Sequence, residues 1–183
     1  MLASMTWQTH DSRLVYENPW ISVREDTVRG PAGDGIYGVV TARNDAVFIV
    51  AVDAEDRVCL VTLDRYTTGL SIEVPAGGSD GEDPLIAAQR ELREETGMQA
   101  DDWTLLGSMN ALNGIAVAPE HVFLARELSA SGANEDAHEE EGIEEVSWVP
   151  FAEVLQMIAD GRIRDGETIA ALTYAGIRLG RFA

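Results

Sequence analysis

The run Ala46-Val47-Phe48-Ile49-Val50-Ala51-Val52 carries no polar side chain. A strand with one face in water alternates apolar and polar residues, so an unbroken run predicts a strand buried on both faces. Such a strand needs a covering layer on each side. The fold must therefore place a sheet between other elements.

The flanking segments supply those elements. Residues 14–28 alternate on both sides of the Asn18-Pro19 break, which predicts a hairpin or two short strands. A Gly- and Pro-containing turn over 30–35 leads to strands at 36–42, 46–52 and 57–63, with a turn at 53–56. The period then changes. Asp83 suits an N-cap, Pro84 the first helical position and Gly97 a terminator, while Leu85, Ala88 and Leu92 recur at helical spacing and should face the core. Further strands are predicted at 103–109, 121–126 and 144–148, and helices at 151–158 and 168–178. Residues 129–142, polar and acidic, read as a long exposed loop. Neither an internal repeat nor a linker interrupts the order, which predicts an α/β fold with a mixed sheet and helices on its faces.

Composition narrows the partners. With 183 residues, 45% of them hydrophobic, one domain is expected. The formal net charge is −19 and the sequence contains no lysine, so all 13 basic residues are arginine. A chain this acidic would repel a nucleic-acid backbone, which excludes polymeric nucleic acid as a partner. A small phosphorylated ligand remains compatible if a bound cation offsets the repulsion. Cys59 is the single cysteine, so neither a disulfide framework nor a thiolate metal cluster is expected, and a cytoplasmic setting fits. A soluble protein is expected, since neither a secretory leader nor an apolar stretch of about 18 residues occurs.

The predicted helix at 83–96 carries the chemistry. Glu91 and Glu95 lie four residues apart and Glu91 and Glu94 three apart, so the three carboxylates project from neighbouring positions. Like charges at that spacing cost a helix a few tenths of a kcal/mol, and Arg90 with Glu94 returns about as much. Helix propensity alone gives no reason for the arrangement. A hard divalent cation does, because Mg²⁺ takes carboxylate oxygens while keeping sites for water and phosphate.

With the residues around it, Glu82, a seven-residue spacer and Arg90-Glu91-Leu92-Arg93-Glu94-Glu95-Thr96-Gly97-Met98 resemble the Nudix box, G-x5-E-x7-R-E-U-x-E-E-x-G-U, where U is a bulky aliphatic residue. One position departs. Counting back from Glu82, the place of the leading glycine holds Ala76, and Gly77 is one residue too close, so the loop over 77–81 is one residue short. The resemblance implies a Nudix-type α/β/α sandwich with a mixed central sheet and an extra N-terminal β segment. It also implies Glu91 and Glu95 as metal ligands, the backbone carbonyl of Ala76 as a third, Glu94 as a further ligand or helper, and Arg90 as the residue that orients the carboxylates. Glu82 is expected to support the loop. The cofactor implied is Mg²⁺, with Mn²⁺ as an alternative.

Beyond the box, Val15-Tyr16-Glu17-Asn18-Pro19, Asp64-Arg65-Tyr66, Glu73-Val74-Pro75-Ala76-Gly77 and Glu141-Gly142-Ile143-Glu144 resemble the ADP-ribose pyrophosphatase branch of that family. This implies a division into a dimerising β segment, 1–40, and a hydrolase domain, 41–183, in a homodimer acting on a small nucleoside diphosphate derivative. In that branch a loop glutamate acts as general base on the attacking water, and the match points to Glu139, with Glu141 second. Arg65 is a candidate phosphate contact. Tyr66 either stacks on a base or sits in the core. Glu73 either receives a ribose hydroxyl or supports Arg90. Trp20, Trp103 and Trp148 are read as core or interface. The implied reaction is Mg²⁺-dependent cleavage of ADP-ribose or a related nucleoside diphosphate sugar to a nucleoside monophosphate and a sugar phosphate. The rivals are pyrophosphohydrolysis of a nucleoside triphosphate, including an oxidised one, and a non-catalytic ligand-sensing domain, which should have lost carboxylates that this chain keeps.

Overall fold

The computed structural model describes residues 7–132 and 142–182. The chain runs through β1 (Gln8–Glu17), β2 (Ile21–Gly30), β3 (Gly33–Ala42), β4 (Ala46–Ala51), β5 (Arg57–Arg65), β6 (Gly69–Glu73), β7 (Ala76–Gly78), α1 (Pro84–Thr96), β8 (Met98–Asn110), β9 (Ala116–Val117), β10 (Pro119–Ala130), β11 (Ile143–Pro150), α2 (Phe151–Ala159) and α3 (Gly166–Arg178). Two compact units result, one of residues up to Asp45 with Asn110–Pro119, the other of Ala46–Met109 with the chain from Glu120 onward.

The larger unit is organised by the apolar run. Strand β4 lies between β10, with which it is parallel, and β7, with which it is antiparallel, in the order β7-β4-β10-β8. This is the mixed sheet expected. Alternate residues of β4 serve opposite faces. Phe48, Val50 and Val52 join Val122 and Leu124 against Phe151, Val154 and Met157 of α2 and Ala171, Leu172 and Ala175 of α3. Val47, Ile49 and Ala51 join Phe123 and Ala125 against Ala87, Ala88 and Leu92 of α1. Helices therefore cover both faces, and each fully buried branched side chain contributes about 1.5–3 kcal/mol. A second sheet, β11-β5-β6, is antiparallel throughout.

Several predicted boundaries move, with β1 starting at Gln8 and β6 (Gly69–Glu73) unpredicted, and two of the changes flank α1. Strand β8 begins at Met98, directly after α1, where the sequence predicted its start at 103. As an edge strand it presents polar residues freely, so 98–102 lack an apolar signal. Part of the predicted glycine turn is β7, where Ala76–Gly78 pairs with Phe48, Val47 and Ala46.

The N-terminal unit holds the sheet β1-β2-β3-β9, so the extra β segment is present. Asn18 Oδ1 accepts hydrogen bonds from the N–H groups of Trp20 (2.9 Å) and Ile21 (2.8 Å), which closes the Asn-Pro turn between β1 and β2. The next turn is only Pro31-Ala32, with Gly30 opposite Gly33 at φ 104°. All ten residues of β1 are exposed. Trp20 is 73% exposed and so is not core, whereas Trp103 and Trp148 pack on the α1 side of the larger unit. Among the described residues, no helix is long and apolar enough to cross a membrane.

Candidate active site

Helix α1 starts and stops where its sequence predicts. The Asp83 carboxylate accepts from the Leu85 N–H (2.9 Å), Pro84 takes the first position, and Gly97 closes the helix at φ 68° with its N–H on the Arg93 carbonyl. The face it buries holds Ala87, Ala88 and Leu92, and also Glu91 and Glu95, which are 6% and 4% exposed. Two carboxylates on the buried face are costly unless they are hydrogen-bonded. They are. Glu95 Oε2 accepts from the Ala76 N–H at 2.9 Å, and Glu91 Oε1 from Arg90 Nη1 at 2.8 Å.

Arg90 is the hub of this cluster. The same Nη1 reaches Glu94 Oε2 (3.0 Å), Nε donates to Glu82 Oε2 (3.1 Å), and Nη2 donates to the Gly78 carbonyl (2.9 Å). Burial opposes the guanidinium charge, but the hydrogen bonds to Glu82 and Glu94 and the charge of Glu91 prevail and hold it above its ordinary value. Glu82 thus ties the loop to the helix.

The short loop finds its geometry here. A Cβ on Gly77 would lie 2.6 Å from Glu91 Oε2 and closer still to Oε1, so only glycine leaves room for this carboxylate. Asp80 and Gly81 take φ 50° and 82°, and the Glu82 N–H donates to the Ser79 carbonyl at 2.8 Å, a tight turn with both central residues left-handed.

Strands β5 and β6 place the next group. Arg65 Nε and Nη2 donate to the two oxygens of Glu73 at 3.1 and 2.6 Å, a bidentate pair with Glu73 buried. The hydrogen bonds Arg65 donates to Glu73 hold its guanidinium above its ordinary value against the cost of burial, and the charges of Glu73, Glu95 and Asp165 add to it. Arg65 therefore feels both Glu95 of α1 and Asp165 at the start of α3. Beside it opens a cleft of about 690 Å³, lined by Arg65, Glu73, Glu120, Arg164, Asp165 and Glu167 among others. Tyr66 stands fully exposed, outside that lining. It is not a core aromatic.

Sequence reasoning passed over Glu120, Arg164, Asp165 and Glu167. One signal was available: Asp165 precedes Thr168 at capping distance, and its carboxylate accepts from the Thr168 N–H at 2.7 Å. Glu139 and Glu141 lie outside the described residues. Among the described residues, no three acidic, histidine or cysteine side chains are already gathered at ion-binding distance. Glu91 and Glu94 meet instead at one nitrogen of Arg90. The donors nevertheless suit a hard cation, being carboxylates and a main-chain loop drawn against them by Ala76 and Gly77.

Comparison with known proteins decides the family. The NUDIX domain model matches residues 42–172. The chain belongs to the Nudix hydrolase family. Nudix hydrolases cleave phosphoanhydride bonds, and this chain is such an enzyme. A second model, the nucleoside diphosphate sugar hydrolase N-terminal domain, matches residues 7–40. The ADP-ribose pyrophosphatase of Mycobacterium tuberculosis is 34% identical over 179 residues, covering 96% of this chain and 84% of the relative. The GDP-mannose pyrophosphatase of Yersinia pestis is 34% identical over 158 residues, covering 82% and 80%. A crystal structure of an ADP compounds hydrolase superposes with a TM-score of 0.84 at 21% identity, covering 98% of both chains, which establishes a common fold. This Nudix hydrolase is thus related to the ADP-ribose pyrophosphatase branch.

Proposed function

We propose that this Nudix hydrolase cleaves the pyrophosphate of ADP-ribose or a related nucleoside diphosphate sugar, giving a nucleoside monophosphate and a sugar phosphate. The observation that carries the reading is the pair of buried carboxylates, Glu91 and Glu95, held against the loop at Ala76 and Gly77. Mg²⁺, or Mn²⁺ in its place, would be held by Glu91, Glu95 and the Ala76 carbonyl with Glu94 beside them. When bound it would neutralise charge on the non-bridging phosphate oxygens.

The chain's own groups do the rest. Arg90 fixes Glu91 and Glu94 relative to the loop through the Gly78 carbonyl and Glu82. Arg65, aligned by Glu73, offers a planar cation at the cleft for a phosphate, and Tyr66 offers an exposed ring for a base. Glu139 takes a proton from the attacking water as one P–O bond forms and the bridging P–O bond breaks. The pyrophosphatases related along most of the chain support this substrate class. The N-terminal unit supports a homodimer: among the described residues β1 is an edge strand, and Leu14, Val15, Tyr16, Trp20 and Ile36 of this unit are exposed.

The deciding test is turnover of ADP-ribose, nucleoside diphosphate sugars, dinucleoside polyphosphates and nucleoside triphosphates, each with and without Mg²⁺. Selective Mg²⁺-dependent cleavage of the first two is expected. Preference for a triphosphate would replace the reading. Glu95→Gln should fold normally and lose at least about a hundredfold in turnover, and Glu139→Gln should lose more than Glu141→Gln.

A further inference from the structure

Glu120 is the second residue of β10, its backbone opposite Ala46 of β4. The residue is 6% exposed, and it lines the cleft beside Arg65. Among the described residues, no hydrogen bond or ion pair reaches its carboxyl. Its electrostatic neighbours are Glu167 and Asp165, at the start of α3, and both are acids. The cleft's other charged groups leave it unpaired: Arg65 and Glu73 are engaged with each other, and Arg164 is exposed. His121, the next residue along β10, is turned to Ser108, 3.1 Å away.

A buried acid facing two others is best accommodated with a proton. Burial first, then Glu167 and Asp165, push the Glu120 carboxyl up to about 7. Asp165 cannot turn away without giving up the α3 cap on Thr168. Glu167 is itself raised, by burial foremost and by its hydrogen bond and charge interaction with Asp165 and the charge of Glu73, against the pull of a backbone hydrogen bond. Glu120 lines the cleft beside Arg65.

We propose that Glu120 sets the charge of the cleft towards a phosphate-bearing substrate, admitting it as the neutral acid and opposing it as the carboxylate, and that Asp165 and Glu167 are positioning residues that keep the proton on it. The proposal rests on the cleft being where the substrate sits. Neutral, the carboxyl also offers a donor as well as an acceptor to a ligand hydroxyl. Substrate binding is then linked to proton uptake, and affinity falls as pH rises past neutrality.

Two measurements test it. NMR titration of the Glu120 carboxyl in the free protein should give a midpoint near 7, moving down in Glu167→Gln as a repelling charge is removed. A midpoint in the ordinary glutamate range overturns the proposal. KM for ADP-ribose should rise at least about threefold from about pH 6 to about pH 8.5, and in Glu120→Gln, which mimics the neutral acid, that dependence should vanish. A parallel rise in the variant, or a flat wild-type profile, overturns it. If ADP-ribose is not cleaved, the substrate reading fails alone, and calorimetry of AMP binding in two buffers of different ionisation enthalpy carries the test. Proton uptake supports the proposal, whereas binding without uptake, or no binding, overturns it.

Discussion

Gly77 and Glu91 occupy adjoining space so closely that a methyl group on one would overlap the carboxylate of the other. Gly77 does not take a left-handed φ, so steric exclusion alone requires glycine there. Gly77→Ala should therefore displace Glu91 from Arg90 and the loop while leaving the cores on both sheet faces intact. Turnover should drop about tenfold or more with a stability loss within about 1–3 kcal/mol, read by steady-state kinetics and thermal unfolding. Near-normal turnover would show that Glu91 need not stand where it does.

Arg90 joins three carboxylates and one carbonyl from a single planar group. Lysine keeps the charge but cannot span them. Arg90→Lys should lower kcat about tenfold or more and cost about 1–3 kcal/mol of stability, since Glu91 would be left buried with one hydrogen bond fewer. If lysine restores both quantities relative to Arg90→Ala, charge alone suffices and the orienting role is lost.

The sequence made the α1 side of the site legible because its information is local. Asp83, Pro84 and Gly97 mark the ends of the helix, and Glu91 and Glu95 are placed by helical period. The two-sided burial of β4 followed from its missing polar residues, and so did a helix layer on each face. The cleft was not legible in the same way. Glu120 comes from a strand end, Arg65 and Glu73 from a hairpin, and Asp165 and Glu167 from a helix start, and only tertiary packing brings them together. The glycine mismatch shows the difference. By counting, Ala76 held the glycine's place; by geometry, Gly77 meets the carboxylate, and the shorter loop turns at Asp80-Gly81.

The Arg65–Glu73 pair makes a prediction about which partner matters to the fold. Glu73 is buried and Arg65 half-exposed, so removing the arginine strands a buried charge, while removing both does not. Arg65→Ala should cost about 1–3 kcal/mol, discounted for its exposure, and the Arg65→Ala/Glu73→Ala double variant should be no less stable than Arg65→Ala. Denaturant unfolding of the two single variants and the double variant measures the coupling. Additive losses would mean that the pair is a surface feature with no role in fixing the cleft.

Cys59 tests the proposed metal site without reference to turnover. It lies in the core beneath α1 with Ala87, Ala88 and Leu92, and burial first, then the charges of Glu95 and Asp53, push its thiol up to about 12. At about pH 8 the folded protein should therefore resist a thiol reagent, and labelling should proceed only through molecules in which α1 has lifted from the sheet. A cation bound by Glu91 and Glu95 would stabilise the closed form by mass action. Added Mg²⁺ should slow labelling in the wild type and leave it unchanged in Glu95→Gln, as followed by mass spectrometry. Slowing of the same size in the variant would place the cation elsewhere, and rapid labelling of the folded wild type would mean that the sheet beneath α1 is open to solvent.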